Sequence, residues 1–132
     1  MPELVGISHI DLTVSDRDRS ERFYTDVLGF EVVKRVDERD FRSTDMKHAS
    51  LDVEMCVRQP VAGDGSRFDE RRTGLDHLSF RVATRAELDT WQDHLEEHGV
   101  PYTPIVDTSY GAVLVFRDPD NIQLELTAEP GA

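Results

Sequence analysis

Between positions 7 and 14 the chain alternates, with Ile10, Leu12 and Val14 on one side and His9, Asp11 and Thr13 on the other. Positions 75–82 do the same, setting Leu78, Phe80 and Val82 against His77, Ser79 and Arg81. A period of two is the signature of a strand with one buried face. After each such strand the period lengthens to that of a helix. Phe23, Tyr24, Val27 and Leu28 make one apolar stripe, capped by Ser15 or Asp16 and ended by Gly29. Leu88, Trp91 and Leu95 make the other. Thr84-Arg85-Ala86-Glu87 forms a capping box before it and Gly99 a left-handed stop after it. Three further strands are predicted behind each helix, over 30–37, 40–44 and 49–58, then over 102–107, 112–117 and 122–127. Asp118-Pro119-Asp120-Asn121 supplies the tight turn between the last two.

These patterns are two copies of one module. Gly6-Ile7-Ser8-His9 returns as Gly74-Leu75-Asp76-His77. In the same register Leu12 matches Phe80, Val14 matches Val82, Phe23 matches Trp91 and Val27 matches Leu95. The second copy then gains two residues, and Gly29-Phe30 matches Gly99-Val100. An in-register repeat of this kind predicts an α+β fold of two tandem βαβββ modules, 1–59 and 74–132, within a single domain. The joining segment 60–73 carries proline, glycine and charge without periodicity and reads as a linker, with a lid over a site as a second use.

Composition narrows the function. The chain has 132 residues, 38% hydrophobic and 32% charged, ordinary for a soluble domain. No stretch has the pattern of a signal peptide or the apolar length of a membrane span. Cys56 is the only cysteine, so no intrachain disulfide forms and a reducing cytoplasm fits. Asp and Glu number 27 against 15 Lys and Arg, a net charge of −12. Such a surface argues against nucleic acid, whose phosphates need a basic face. It serves solubility first, and favours a cationic ligand if the charge has a binding role.

The candidate chemistry lies on the polar faces of three strands. In the closing strand Ile122, Leu124 and Leu126 face one way, while Gln123, Glu125 and Thr127 face the other. His9, His77 and Glu125 therefore each stand on the polar side of a strand whose other side is apolar. If the apolar sides pack on helices, two imidazoles and one carboxylate line one concavity as a facial triad. That donor set suits one divalent ion (Fe, Mn, Ni, Co or Zn) and leaves positions open for a substrate. The two histidines gain weight as one repeated position. His94 and His98, four apart on the second predicted helix, have zinc-compatible spacing but read as a solvated face, and His48 lacks such support.

The segments Gly6-Ile7-Ser8-His9-Ile10-Asp11-Leu12-Thr13-Val14, Phe23-Tyr24-Thr25-Asp26-Val27-Leu28-Gly29-Phe30, Gly74-Leu75-Asp76-His77-Leu78-Ser79-Phe80 and Phe116-Arg117-Asp118-Pro119-Asp120-Asn121-Ile122-Gln123-Leu124-Glu125-Leu126 resemble the vicinal oxygen chelate superfamily, also called the glyoxalase/bleomycin resistance/dioxygenase family. The resemblance spans nearly the whole chain. It implies paired modules forming a cupped, barrel-like mixed sheet around the site with helices outside, often in a homodimer.

The resemblance also raises the question of a fourth ligand, which relatives with four protein ligands draw from the last strand of the first module. Glu54 is the best carboxylate candidate there, Gln59 an amide candidate at the strand end, and water the alternative. Glyoxalase I relatives supply a clear glutamate at that place. Fosfomycin-modifying relatives carry basic residues after the terminal Glu strand, where this chain has Thr127-Ala128-Glu129-Pro130-Gly131-Ala132.

Two functions follow. One is a metal-dependent enzyme of lyase, isomerase or dioxygenase type acting on a small oxygen-chelating substrate. In it Glu125 or Glu54 shuttles a proton, and Arg81, Gln123, Ser79 and Asp11 orient polar groups. The other is a binding protein that sequesters a drug or natural product without chemistry. Its cleft at a dimer interface would be lined by Phe41, Met46, Met55, Tyr110 and Phe116.

Overall fold

A computed structural model describes residues 1–132. The elements run β1 (His9–Thr13), α1 (Arg17–Asp26), β2 (Glu31–Asp37), β3 (Phe41–Lys47), β4 (Glu54–Pro60), then β5 (Leu78–Arg81), α2 (Arg85–Glu97), β6 (Tyr102–Thr108), β7 (Gly111–Arg117) and β8 (Gln123–Ala128). This is βαβββ twice, the order that the repeat predicts. The chain divides into two compact units, Met1–Ser66 and Arg67–Ala132. Each holds one open four-stranded sheet, ordered β1-β4-β3-β2 in the first and β5-β8-β7-β6 in the second. Neither sheet closes on itself. In both, the first strand runs parallel to the last, and the other pairings are antiparallel.

Most predicted boundaries shift slightly, and the largest shift lies between the last two strands of the first unit. The third strand of the first unit extends to Lys47, and the fourth starts only at Glu54. The residues between them turn back instead, with the Leu51 amide donating to the His48 carbonyl. His48 is tied to this turn. Its Nε2 lies 3.0 Å from the Leu28 carbonyl and its Nδ1 accepts from the Ser50 amide.

Helix starts follow the sequence. Asp16 caps α1 by accepting from the Arg19 amide, and Thr84 caps α2 by accepting from the Glu87 amide. Gly29 and Gly99 take φ of 80° and 67°, the left-handed geometry that ends a helix at low cost for glycine. Each helix covers the apolar face of its own sheet. In the first unit Tyr24, Met46, Met55 and Val57 are buried there, and in the second Leu88, Leu95, Leu114, Phe116, Leu124 and Leu126. Met46 and Phe116, offered above as cleft-lining residues, are therefore spent on the cores. The opposite face of each sheet carries the polar residues.

Candidate metal centre

The second unit brings two of the expected ligands together. His77 precedes β5, and Glu125 lies on β8 opposite Ser79. Because the two strands run parallel and side by side, the His77 Nε2 comes within 3.4 Å of the Glu125 Oε1. The Nδ1 on the other side of the ring lies 2.7 Å from the Asp76 Oδ1. Both ring nitrogens therefore face carboxylates, which only accept, and the nearer of the two is Asp76 at Nδ1.

The first unit places His9 at the matching position, at the start of β1 and opposite Glu54 on β4. Its Nδ1 meets a hydroxyl instead, the Ser8 Oγ at 3.0 Å. A hydroxyl can donate or accept, so this contact leaves the ring tautomer open. His9, Asp11, Asp45, Glu54, Met55 and Cys56 line a cleft of about 250 Å³.

Strand register settles which residue stands where. Asp11 pairs with Cys56 as Ser79 pairs with Glu125, and Asp11 and Ser79 are one repeat position. The counterpart of Glu125 in the first unit is thus Cys56. Glu54, one step along the ladder, is the counterpart of Gln123. Glu54 does share the face and the cleft of His9, as expected. Cys56 is buried, and its thiol is pushed up to about 12 by burial, by the hydrogen bond to Asp45 and by the nearby charge of Asp11. The thiol stays protonated at neutral pH in the metal-free protein.

Several residues offered for substrate contact are engaged within their own unit. The Gln123 amide donates to the Asp76 carbonyl and carboxylate, and its Oε1 accepts from Arg117. The Ser79 and Thr127 hydroxyls meet at 2.6 Å. Arg81 is paired with Glu129 at 2.8 Å. Phe41 lies 3.5 Å under the Arg58 guanidinium, and Tyr110 is exposed in the β6–β7 turn. The His94 and His98 rings meet at the end of α2, with centroids 4.3 Å apart and planes tilted by 46°, and no third donor joins them.

The linker is not a loose lid in its second half. Arg117 donates both terminal nitrogens to Glu70, each at 2.9 Å, the Phe68 amide donates to Asp120, and Asn121 donates to the Phe68 carbonyl. The Arg117 guanidinium drives the Glu70 carboxyl down to about 2. Asp76, Glu70 and Cys56 are the site residues that the sequence did not single out as such. Asp76 had a readable signal, its place directly before the repeated histidine.

A family model, the Glyoxalase/Bleomycin resistance protein/Dioxygenase superfamily, matches residues 6–126. The chain belongs to this superfamily. A glyoxylase/bleomycin resistance protein/dioxygenase domain from Frankia sp. EAN1pec has a similar structure, with a TM-score of 0.89 and 35% identity, covering 96% of this chain and 99% of that one. Catechol-2,3-dioxygenase of Bacillus subtilis (strain 168) is 30% identical over 93% of this chain. The chain spans 41% of the length of that relative. The fosfomycin resistance protein FosX of Listeria monocytogenes shares the fold, with a TM-score of 0.75 at 22% identity, covering 98% of this chain and 94% of that one. That structure is of a glutamate-to-glutamine mutant, solved with Mn(II) and 1S,2S-dihydroxypropylphosphonic acid.

The superfamily fold raises the question whether these residues suit a divalent ion. In the second unit they do. Two donors about 2.1 Å from a shared ion stand roughly 3.4 Å apart at a tetrahedral angle, the separation seen between His77 and Glu125. An imidazole with its far nitrogen tied to a carboxylate is also the usual arrangement of a metal-bound histidine. Two donors are half a site. Within neither unit does a set of three or more His, Cys, Asp or Glu residues able to hold an ion assemble.

Proposed function

We propose that this superfamily member is a divalent-metal-dependent enzyme of lyase, isomerase or dioxygenase type that acts on a small substrate with two neighbouring oxygens. In this reading His9, His77 and Glu125 hold the ion. The observation that carries it is the His77–Glu125 pair, with the far ring nitrogen of His77 held against the Asp76 carboxylate. The repeat supports His9 as the third donor, since it takes the same place at the start of its strand. Bound there, the ion supplies Lewis-acid chelation of two substrate oxygens and stabilises developing negative charge.

The protein's own residues do the rest. Glu125 is the proton carrier, because it sits beside His77 with one carboxylate oxygen turned to it. Asp11 and Glu54 face the cleft at His9 and take hydrogen-bond donors of the substrate. Glu54 or water completes the ligand set. Arg81 is held by Glu129 and reaches a substrate only by leaving that partner. No helix is long and apolar enough to cross a membrane, and the ligand is a small molecule in this reading. A second copy of the chain is the expected partner.

The test is metal analysis of protein purified without a histidine tag, followed by turnover assays on catechols, 2-oxoaldehyde–thiol adducts and acyl-CoA thioesters. Catechols come first because of the similarity to catechol-2,3-dioxygenase. The proposal expects stoichiometric Fe, Mn, Ni, Co or Zn, and turnover of one substrate class that disappears in His77→Ala. Metal-free protein whose behaviour the variant does not change would refute it.

A further inference from the structure

A single chain of hydrogen bonds runs through the second unit to His77. Glu70 takes both terminal nitrogens of Arg117 at 2.9 Å. Arg117 donates to Gln123 at 3.2 Å. Gln123 donates to the Asp76 carboxylate at 3.1 Å and to the Asp76 carbonyl at 3.2 Å. Asp76 then accepts from the His77 Nδ1 at 2.7 Å. The bonds diverge from Arg117, which donates to Glu70 and Gln123, and converge on Asp76, which accepts from Gln123 and His77. Gln123 grips both the backbone and the side chain of Asp76, so the carboxylate cannot swing away without losing two bonds.

The His77 ring has a second carboxylate within reach. Glu125 lies 3.4 Å from Nε2, a longer contact than the one Asp76 makes with Nδ1. Two carboxylates therefore compete for the one proton of the neutral ring. We propose that Asp76, anchored by Gln123, is a positioning residue that wins this competition and fixes His77 in its Nδ1–H tautomer, leaving the Nε2 lone pair free beside Glu125. His9 has no such arrangement, because its Nδ1 meets the neutral Ser8 hydroxyl. The two histidines of the repeat are thus unequal: His77 is set for coordination in advance, and His9 is set by whatever binds it. The inference rests on the proposed metal site for its consequence. The tautomer itself is a property of the chain alone.

The tautomer is read by long-range proton–nitrogen correlation NMR of the imidazoles in chelator-treated protein, at a pH where the rings are neutral. The wild type is expected to show His77 as Nδ1–H. Asp76→Ala hands the proton to Nε2, where Glu125 accepts it, and the spectrum switches to Nε2–H. Asp76→Asn keeps an acceptor oxygen and restores part of the Nδ1–H population. Gln123→Leu gives an intermediate mixture, and Glu125→Gln leaves Nδ1–H in place. A wild-type His77 in the Nε2–H form, or an Asp76→Ala variant still fully Nδ1–H, overturns the proposal.

Asp76 is exposed, so the variant is expected to fold, and circular dichroism checks this. Mn(II) or Co(II) affinity gives the second readout, and Asp76→Ala should weaken it by about 10–100-fold. Unchanged affinity in that variant contradicts the positioning role. If the wild type takes up no ion at all, the metal reading fails and the tautomer result still decides this proposal.

Discussion

Between helix and sheet the first module places Arg17, Ser20 and Thr44, where the second places Arg85, Leu88 and Leu114. All three residues of the first module are buried. Arg17 donates to the Ser43 carbonyl and pairs with Asp18 at 2.9 Å. Thr44 donates to Glu21, which also takes Arg35 in two hydrogen bonds. In the second module Arg85 sits nearer the surface, paired with Asp107 and Asp89, and Leu88 and Leu114 have no exposed surface. At the positions of Ser20 and Thr44 the first copy thus sets polar groups where the second sets leucines, while both helices also pack on apolar residues. Directional contacts fix one geometry but lose heavily when a partner is removed. Apolar packing is limited by volume.

The comparison breaks first at Leu114. Leu114→Ala should cost about 2–5 kcal/mol in urea unfolding, the range for a fully enclosed leucine. A value under about 1 kcal/mol would show that the second core is not close-packed. The matching change in the first module, Thr44→Val, keeps the volume and removes the hydrogen bond to a charged acceptor. It should cost about 1.5–3 kcal/mol. It should also let the Glu21 carboxyl, held low by Arg35 and then by Thr44, rise toward its ordinary value. Ser20→Ala sharpens the contrast from the other side. The Ser20 hydroxyl is buried without a hydrogen-bond partner, so its removal should change stability by less than about 0.5 kcal/mol or increase it.

Two titrations give smaller effects. The Glu70 carboxyl, at about 2 when paired with Arg117, lies below its ordinary value of 4.5. Its contribution to stability is therefore fully present above about 4.5 and lost as pH falls through about 2. Carbon-13 NMR should find that low midpoint, and Arg117→Met should return it to the ordinary range. Cys56, with its thiol at about 12, should resist a disulfide reagent at pH 8 and react only on unfolding. Fast reaction of the folded protein would contradict its placement.

Much of this was legible in the sequence, because period-two strands, capped helices and a repeat in register all constrain the same backbone. Strand parity put His77 and Glu125 on polar faces, and the parallel pairing of β5 with β8 makes them neighbours. Parity names a face but not a neighbour. Which residue of β4 matches Glu125 depends on the β1–β4 register, so Glu54 stood out for its chemistry while the ladder puts Cys56 at that place. The last strands of the first module blurred because residues 48–53 turn back through His48, a contact with no periodic signal. The second half of the linker looked free because its anchors, Arg117 and Asn121, lie far along the chain. Gln123 looked like a substrate contact because its polar face is visible in sequence and its partners are not.

Whether the three residues hold an ion is decided by binding of Co(II) followed by absorption. The chelator-treated wild type should show one saturable site, lost in His9→Ala, His77→Ala and Glu125→Gln and retained in Asp11→Asn. Absence of a saturable site in the wild type, or binding that survives His77→Ala unchanged, would contradict the metal site.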